Sequence, residues 1–134
     1  MTMEARAPAD GVERHRIHLC GGRDAPSGAR AAIDLLTAPL FDEIACEQIR
    51  LMVSELVGNS VRHGGAPTWK DSIELSVDVT QTDLRVECSD PVGGFDVPRS
   101  PAGFGLEIVD ALSRDWGVRH GSPGSAWFEY ARAG

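Results

Sequence analysis

Polar and apolar positions alternate in three stretches and recur at helical spacing in three others. Ser72 to Val79 (SIELSVDV) and Asp83 to Ser89 (DLRVECS) switch between polar and apolar at every residue. That period of two marks strands with one buried face. Gln81-Thr82 lies between them as a turn, so the pair is expected to form a hairpin. Arg14-His-Arg-Ile-His-Leu-Cys20 alternates likewise and stops at Gly21-Gly22, predicting an earlier strand. After Asp24-Ala-Pro-Ser, with Pro26 in the first turn, Ala29, Ala32, Ile33, Leu36 and Leu40 recur at helical spacing, and Pro39 closes that helix. A second helix runs from near Asp42 to His63 with Ile49, Met52, Val53, Leu56 and Val57 as its apolar stripe, ended by Gly64-Gly65-Ala-Pro. Leu106, Ile108, Val109 and Leu112 mark a third helix after a loop rich in glycine and proline. Two closing strands, around Trp116 to His120 and Ser125 to Tyr130, are joined by Gly121-Ser-Pro-Gly.

Strands and helices are grouped rather than strictly alternating. The expected fold is therefore an α+β two-layer sandwich, a mixed and mainly antiparallel sheet with about three helices on one face, and not a doubly wound parallel fold. Residues 1–13 are small, polar and proline-containing and read as a flexible tail. Residues 14–134 read as one domain, the usual size for a chain of 134 residues.

Composition narrows the function classes. The formal net charge is −7 and aromatic residues make up 6% of the chain. Without a basic stripe or a stacking platform, direct nucleic-acid binding is not expected. The N-terminus has no apolar signal-peptide core and no apolar run approaches the ~18 residues of a membrane span, so a cytoplasmic location is expected. Cys20, Cys46 and Cys88 are widely spaced, without a C-x-x-C pair, and fit reduced, mostly buried thiols.

Three segments carry candidate chemistry. In Ser54-Glu-Leu-Val-Gly-Asn-Ser-Val-Arg-His63, about 100° per residue puts Glu55, Asn59 and His63 on one line beside the apolar stripe. An amide and a carboxylate at that spacing supply oxygens of the kind Mg²⁺ accepts alongside water and phosphate. A carboxylate one turn away can orient a hydroxyl or water toward a γ-phosphate. The same residues also fit an ordinary amphipathic helix with a polar flank. In the second segment a strand ends at Asp90 and Gly93 and Gly94 follow. A strand-end carboxylate can accept from an exocyclic amine such as adenine's, and glycines permit close backbone approach; a plain turn reads the same. In the third, Gly103 and Gly105 precede a helix whose free N–H groups suit phosphate. That segment is neither a Walker A motif nor a Rossmann fingerprint.

In this order and with these gaps, the three segments resemble the N box and the two glycine boxes of the GHKL ATPase superfamily, and within it the anti-sigma-factor serine/threonine kinases of bacteria. Glu55-Leu-Val-x-Asn59-x-x-x-His63-Gly64 is similar to their N box. Gly103-x-Gly105-Leu106-x-Ile108-Val109, followed by Leu112 and Trp116-Gly117, is similar to their second glycine box, and Ala126-Trp-Phe-Glu-Tyr130 to their last strand. The resemblance covers roughly residues 14–130. It implies a Bergerat-type sandwich binding ATP and Mg²⁺, with Asn59 as metal ligand and Glu55 as catalytic base. It places His63, Asp90, Gly93, Gly94, Arg99, Gly103, Gly105 and Leu106 at the nucleotide, Asp90 on adenine and Arg99 in a short lid. The implied activity is phosphorylation of a serine on an anti-anti-sigma factor by a protein that also sequesters a sigma factor, with a homodimer permitted. One position departs from the pattern: the first glycine box usually reads D-x-G-x-G, and Val92 stands at its first glycine. A β-branched residue restricts φ there and adds bulk near the base. The alternative function is a non-catalytic protein-binding regulator that keeps the fold with weak or no nucleotide binding.

Overall fold

The computed structural model describes residues 1–6, 11–63, 65–90, 106–119, 121 and 124–132, with Arg6 described by its backbone only. In chain order the elements are β1 (Thr2–Arg6), β2 (Glu13–Cys20), α1 (Ala25–Thr37), α2 (Glu43–Arg62), β3 (Ser72–Val79), β4 (Asp83–Asp90), α3 (Leu106–Leu112), β5 (Asp115–Arg119) and β6 (Gly124–Ala131). The strands form a single sheet in the order β1-β2-β3-β4-β6-β5, with every pairing antiparallel. Three helices and this open sheet make the α+β sandwich that the grouped pattern predicts.

Alternation along the strands sets the two faces. Ile17, Leu19, Ile73, Leu75, Val77, Val79, Leu84, Val86, Cys88, Ala126 and Phe128 are all buried and share one core with Ala29, Ile33, Ile49, Met52, Val53, Leu56 and Val57 from the helices. Burying each large apolar side chain contributes roughly 1.5–3 kcal/mol, which is why the stripe on α2 lies against the sheet. Asp42 caps α2 by accepting from the Ala45 N–H at 2.8 Å. Cross-ties fix α1 against α2: Arg30 Nη1 donates to Ser54 Oγ at 2.8 Å, and Arg50 Nη1 to Asp34 Oδ1 at 3.0 Å. On the opposite face of the sheet Arg85 stacks on Trp127, 4.8 Å from the ring centre. Trp127 therefore packs on the sheet on the side away from the helices.

The first thirteen residues are not a loose tail throughout. Thr2–Arg6 forms an edge strand on β2, registered from Thr2 opposite His18 to Arg6 opposite Arg14. The run is five residues long, too short for its alternation to stand out, and Gly11, at a φ of 80°, precedes β2. What draws it into the sheet is the free edge of β2, whose unpaired N–H and C=O groups need partners. Of the thiols, Cys46 and Cys88 are buried and Cys20 is exposed.

Candidate nucleotide site on the rim of α2

α2 carries the residues singled out by sequence, and their burial differs sharply. Asn59 is 1% exposed, although it is polar and lies two residues past the last large apolar position. Its Nδ2 has no hydrogen-bond partner among the described residues. A buried amide with an idle donor is costly, of the order of 1–3 kcal/mol, and calls for a partner. Glu55, one turn earlier, keeps a quarter of its side chain exposed. His63 is exposed and closes the helix, its backbone N–H donating to the Asn59 carbonyl at 2.7 Å.

A cation lies between the two leading residues. Arg62 Nη2 is 3.5 Å from Asn59 Oδ1 and 3.9 Å from Glu55 Oε2. Gly58 makes room for it: a Cβ built there would come within 2.8 Å of Arg62 Nη1 and 3.1 Å of Nη2. Neither residue was singled out by sequence reasoning. The available signal was Gly58 itself, because a glycine inside a helix costs about 1 kcal/mol relative to alanine and calls for a local reason.

Asp90, the last residue of β4, is fully buried. Its Oδ2 accepts the Gly65 N–H, so the strand-end carboxylate is tied to the segment leaving α2. That segment is anchored again where the Ala66 N–H donates to the Ser60 carbonyl at 3.2 Å and the Gly22 N–H to the Ala66 carbonyl at 3.0 Å. Asp90 and the C-terminal half of α2 are thereby brought together. Leu106, the first residue of α3, is fully buried in the core, and α3 packs on α2. Gly93, Gly94, Arg99, Gly103 and Gly105 lie outside the described residues, as do Val92 and the lid expected at residues 95–102.

The donor set suits magnesium in one particular way. No cluster of three His, Cys, Asp or Glu side chains able to hold a metal occurs among the described residues. The buried Asn59 amide beside the Glu55 carboxylate fits a cation that keeps most of its shell as water and phosphate oxygen. Among the described residues, cavities lie elsewhere. One of about 240 Å³ opens between Glu4, Arg14, Arg16 and Asp78, and one of about 660 Å³ between Leu19, Gly22, Ala25 and Trp69. No helix among the described residues is long and apolar enough to cross a membrane.

Comparison with known proteins agrees with this architecture. No curated protein matches the sequence. Among solved structures, the crystal structure of the RsbU and RsbW domains of Rv1364c from Mycobacterium tuberculosis superposes with a TM-score of 0.70 at 22% identity, covering 89% of this chain. The chain spans 32% of that longer protein, and at this identity the likeness is one of fold. The sequence also matches the family described as histidine kinase-like ATPase domain over residues 24–126, most of its length. The chain belongs to the histidine kinase-like ATPase domain family.

Proposed function

We propose that this protein binds ATP with Mg²⁺ at the rim of α2 and transfers the γ-phosphoryl group to a serine or threonine of a protein partner, as an anti-sigma-factor kinase that alternates between a sigma factor and an anti-anti-sigma factor. The observation that carries the reading is the Glu55–Asn59 pair: a half-buried carboxylate one turn from a buried amide whose Nδ2 has no partner among the described residues. Family membership and a fold shared with a protein that contains an RsbW domain support it. In this reading Asn59 holds Mg²⁺ through its side-chain oxygen, and the ion's chemistry is to neutralise charge on the phosphate oxygens. Glu55 accepts the proton of the attacking hydroxyl. The hydroxyl oxygen bonds to the γ-phosphorus, the bond from that phosphorus to the β–γ bridging oxygen breaks, and ADP leaves. Asp90, set at the end of β4, receives the adenine amine. Gly93, Gly94, Gly103, Gly105 and Arg99 border the nucleotide, with Leu106 beneath it and His63 at the helix end. A homodimer is compatible with this assignment.

The test is phosphoryl transfer from labelled ATP to the cognate anti-anti-sigma protein. Wild type should label a serine or threonine, and Glu55→Ala should lose labelling while keeping a Mg-ATP-dependent rise in melting temperature. A wild type that binds Mg-ATP but labels no acceptor would remove the kinase assignment. Val92 favours a second reading, a non-catalytic regulator that binds its partner without nucleotide. Calorimetry separates the two, because in that case titration with Mg-ATP gives no heat.

A further inference from the structure

We infer that Arg62 is a positioning residue of this site. Lying along α2 over Gly58, it acts as an internal counter-cation that holds Glu55 and Asn59 in place without nucleotide and gives up the Asn59 oxygen to Mg²⁺ when nucleotide binds. The inference rests on the ATP-binding reading above.

Three features of the helix lead to it. The guanidinium reaches back to residues three and seven positions earlier, Asn59 and Glu55. It does so by crossing Gly58, four positions earlier, where a Cβ would lie 2.8–3.2 Å from Nη1, Nη2 and Cζ unless the guanidinium shifted. Gly58 is buried inside a twenty-residue helix, a position where glycine is otherwise disfavoured. The missing Cβ leaves room for the guanidinium to lie there. Asn59 Oδ1 is the atom through which an amide ligates a hard cation, and it is the atom on which Arg62 Nη2 donates. Two cations at one oxygen repel each other, so the guanidinium and Mg²⁺ oppose each other's hold on it. Arg62 therefore competes with the metal for Asn59 while offsetting the Glu55 charge. Over half of the Arg62 side chain is exposed, so the competition is modest and the arginine can swing aside.

Two substitutions should remove the contact by different routes. Arg62→Met deletes the charge and keeps the stem; Gly58→Ala fills the space the guanidinium crosses. With saturating ATP and the full chain, the Mg²⁺ concentration at half of the maximal melting-temperature rise should fall about two- to fivefold in each variant, the factor expected for an exposed ion pair. Transfer to the acceptor protein at saturating Mg-ATP should fall in both, in kcat rather than in the KM for ATP. An unchanged or raised Mg²⁺ midpoint in either variant overturns the inference. A purely structural contact would leave the midpoint unmoved.

A nucleotide-free readout keeps this separable from the function itself. In urea unfolding, Gly58→Ala should raise the folding equilibrium constant about fivefold in the Arg62→Met background, the ordinary helical gain of alanine over glycine. It should raise it distinctly less in wild type, where the guanidinium must be displaced. Equal gains in both backgrounds would show that Arg62 does not lie over Gly58 and would sink the inference whether or not ATP binds. If the coupling appears and Mg-ATP shifts no melting temperature in any variant, the ATP-binding reading fails, and with it the role assigned to Arg62 in metal exchange.

Discussion

Gly21 and Gly28 invite the same substitution and should respond with opposite signs. Gly21 follows β2, and its N–H donates to the Asp71 carbonyl at 2.9 Å. A Cβ added there would meet the Ala66 carbonyl oxygen at 2.6 Å and the Thr68 carbonyl oxygen at 2.7 Å. Both obstacles are backbone atoms of the segment that leaves α2, so no side chain can swing clear. Overpacking of this kind typically costs about 1–3 kcal/mol, and with two carbonyls in the way the upper half of that range is expected. For a domain of this size the loss corresponds to a melting temperature lower by roughly 6–12 °C. A Cβ at Gly28, inside α1, meets only Leu19 Cδ2 at 3.8 Å, an ordinary contact. Gly28→Ala should therefore stabilise by about 0.5–1 kcal/mol through helix propensity. Thermal and urea unfolding of the two variants beside wild type decide the matter. If Gly21→Ala were neutral or stabilising, residues 66–68 would not be closed against the end of β2, and the anchoring of the Asp90–Gly65 segment described above would be wrong.

Three further outcomes follow from local contacts. Asp42→Ala removes the side chain that caps α2 at Ala45 and should lower stability by about 1 kcal/mol in urea unfolding; no loss would mean that α2 is capped by other means. With Ellman's reagent, Cys20 should react quickly while buried Cys46 and Cys88 react only on unfolding, Cys88 being further protected because burial pushes its thiol well above the usual range; two fast thiols in the native protein would refute the packing of β4 or of α2. Tyr130, the chain's single tyrosine, donates to Gln48 Oε1 at 2.7 Å, and burial, then the Asp42 carboxylate, raise its phenol above the ordinary 10.0. Its absorbance at 295 nm should titrate above that value when folded. Because the folded state favours the neutral phenol, its contribution to stability is present below pH 10 and fades as pH rises through the folded value. Native and denatured curves that coincide would count against the contact with α2.

The secondary structure was legible where one physical signal dominated. β3 and β4 alternate without a break, and α2 couples an apolar stripe to a terminal Gly-Gly, so pattern and stop agree. β1 was missed because five alternating residues close to Pro8 carry too little local information; the partner edge on β2, not the segment itself, decides its conformation. In the site, Glu55, Asn59 and Asp90 were legible as residue types at strand and helix positions, and Asn59 is more deeply buried than its polarity would suggest. What could not be read was the connection between them. Gly65 joins the end of α2 to Asp90 by a backbone N–H, and no side-chain pattern encodes a bond of that kind.

Arg62 and Gly58 were hidden for a different reason. In a motif written as fixed residues separated by free ones, both occupy free positions, yet each is intelligible only through the other. An arginine on a helix flank is ordinarily a solvated charge, and a helical glycine ordinarily a small defect. Together they form a channel along the helix surface for one guanidinium, aimed at the amide and the carboxylate that the proposed chemistry requires. Packing between residues four apart is therefore as much a part of the site as the polar line at Glu55 and Asn59. Substituting Gly58 should act on metal exchange even though it contributes no functional group of its own.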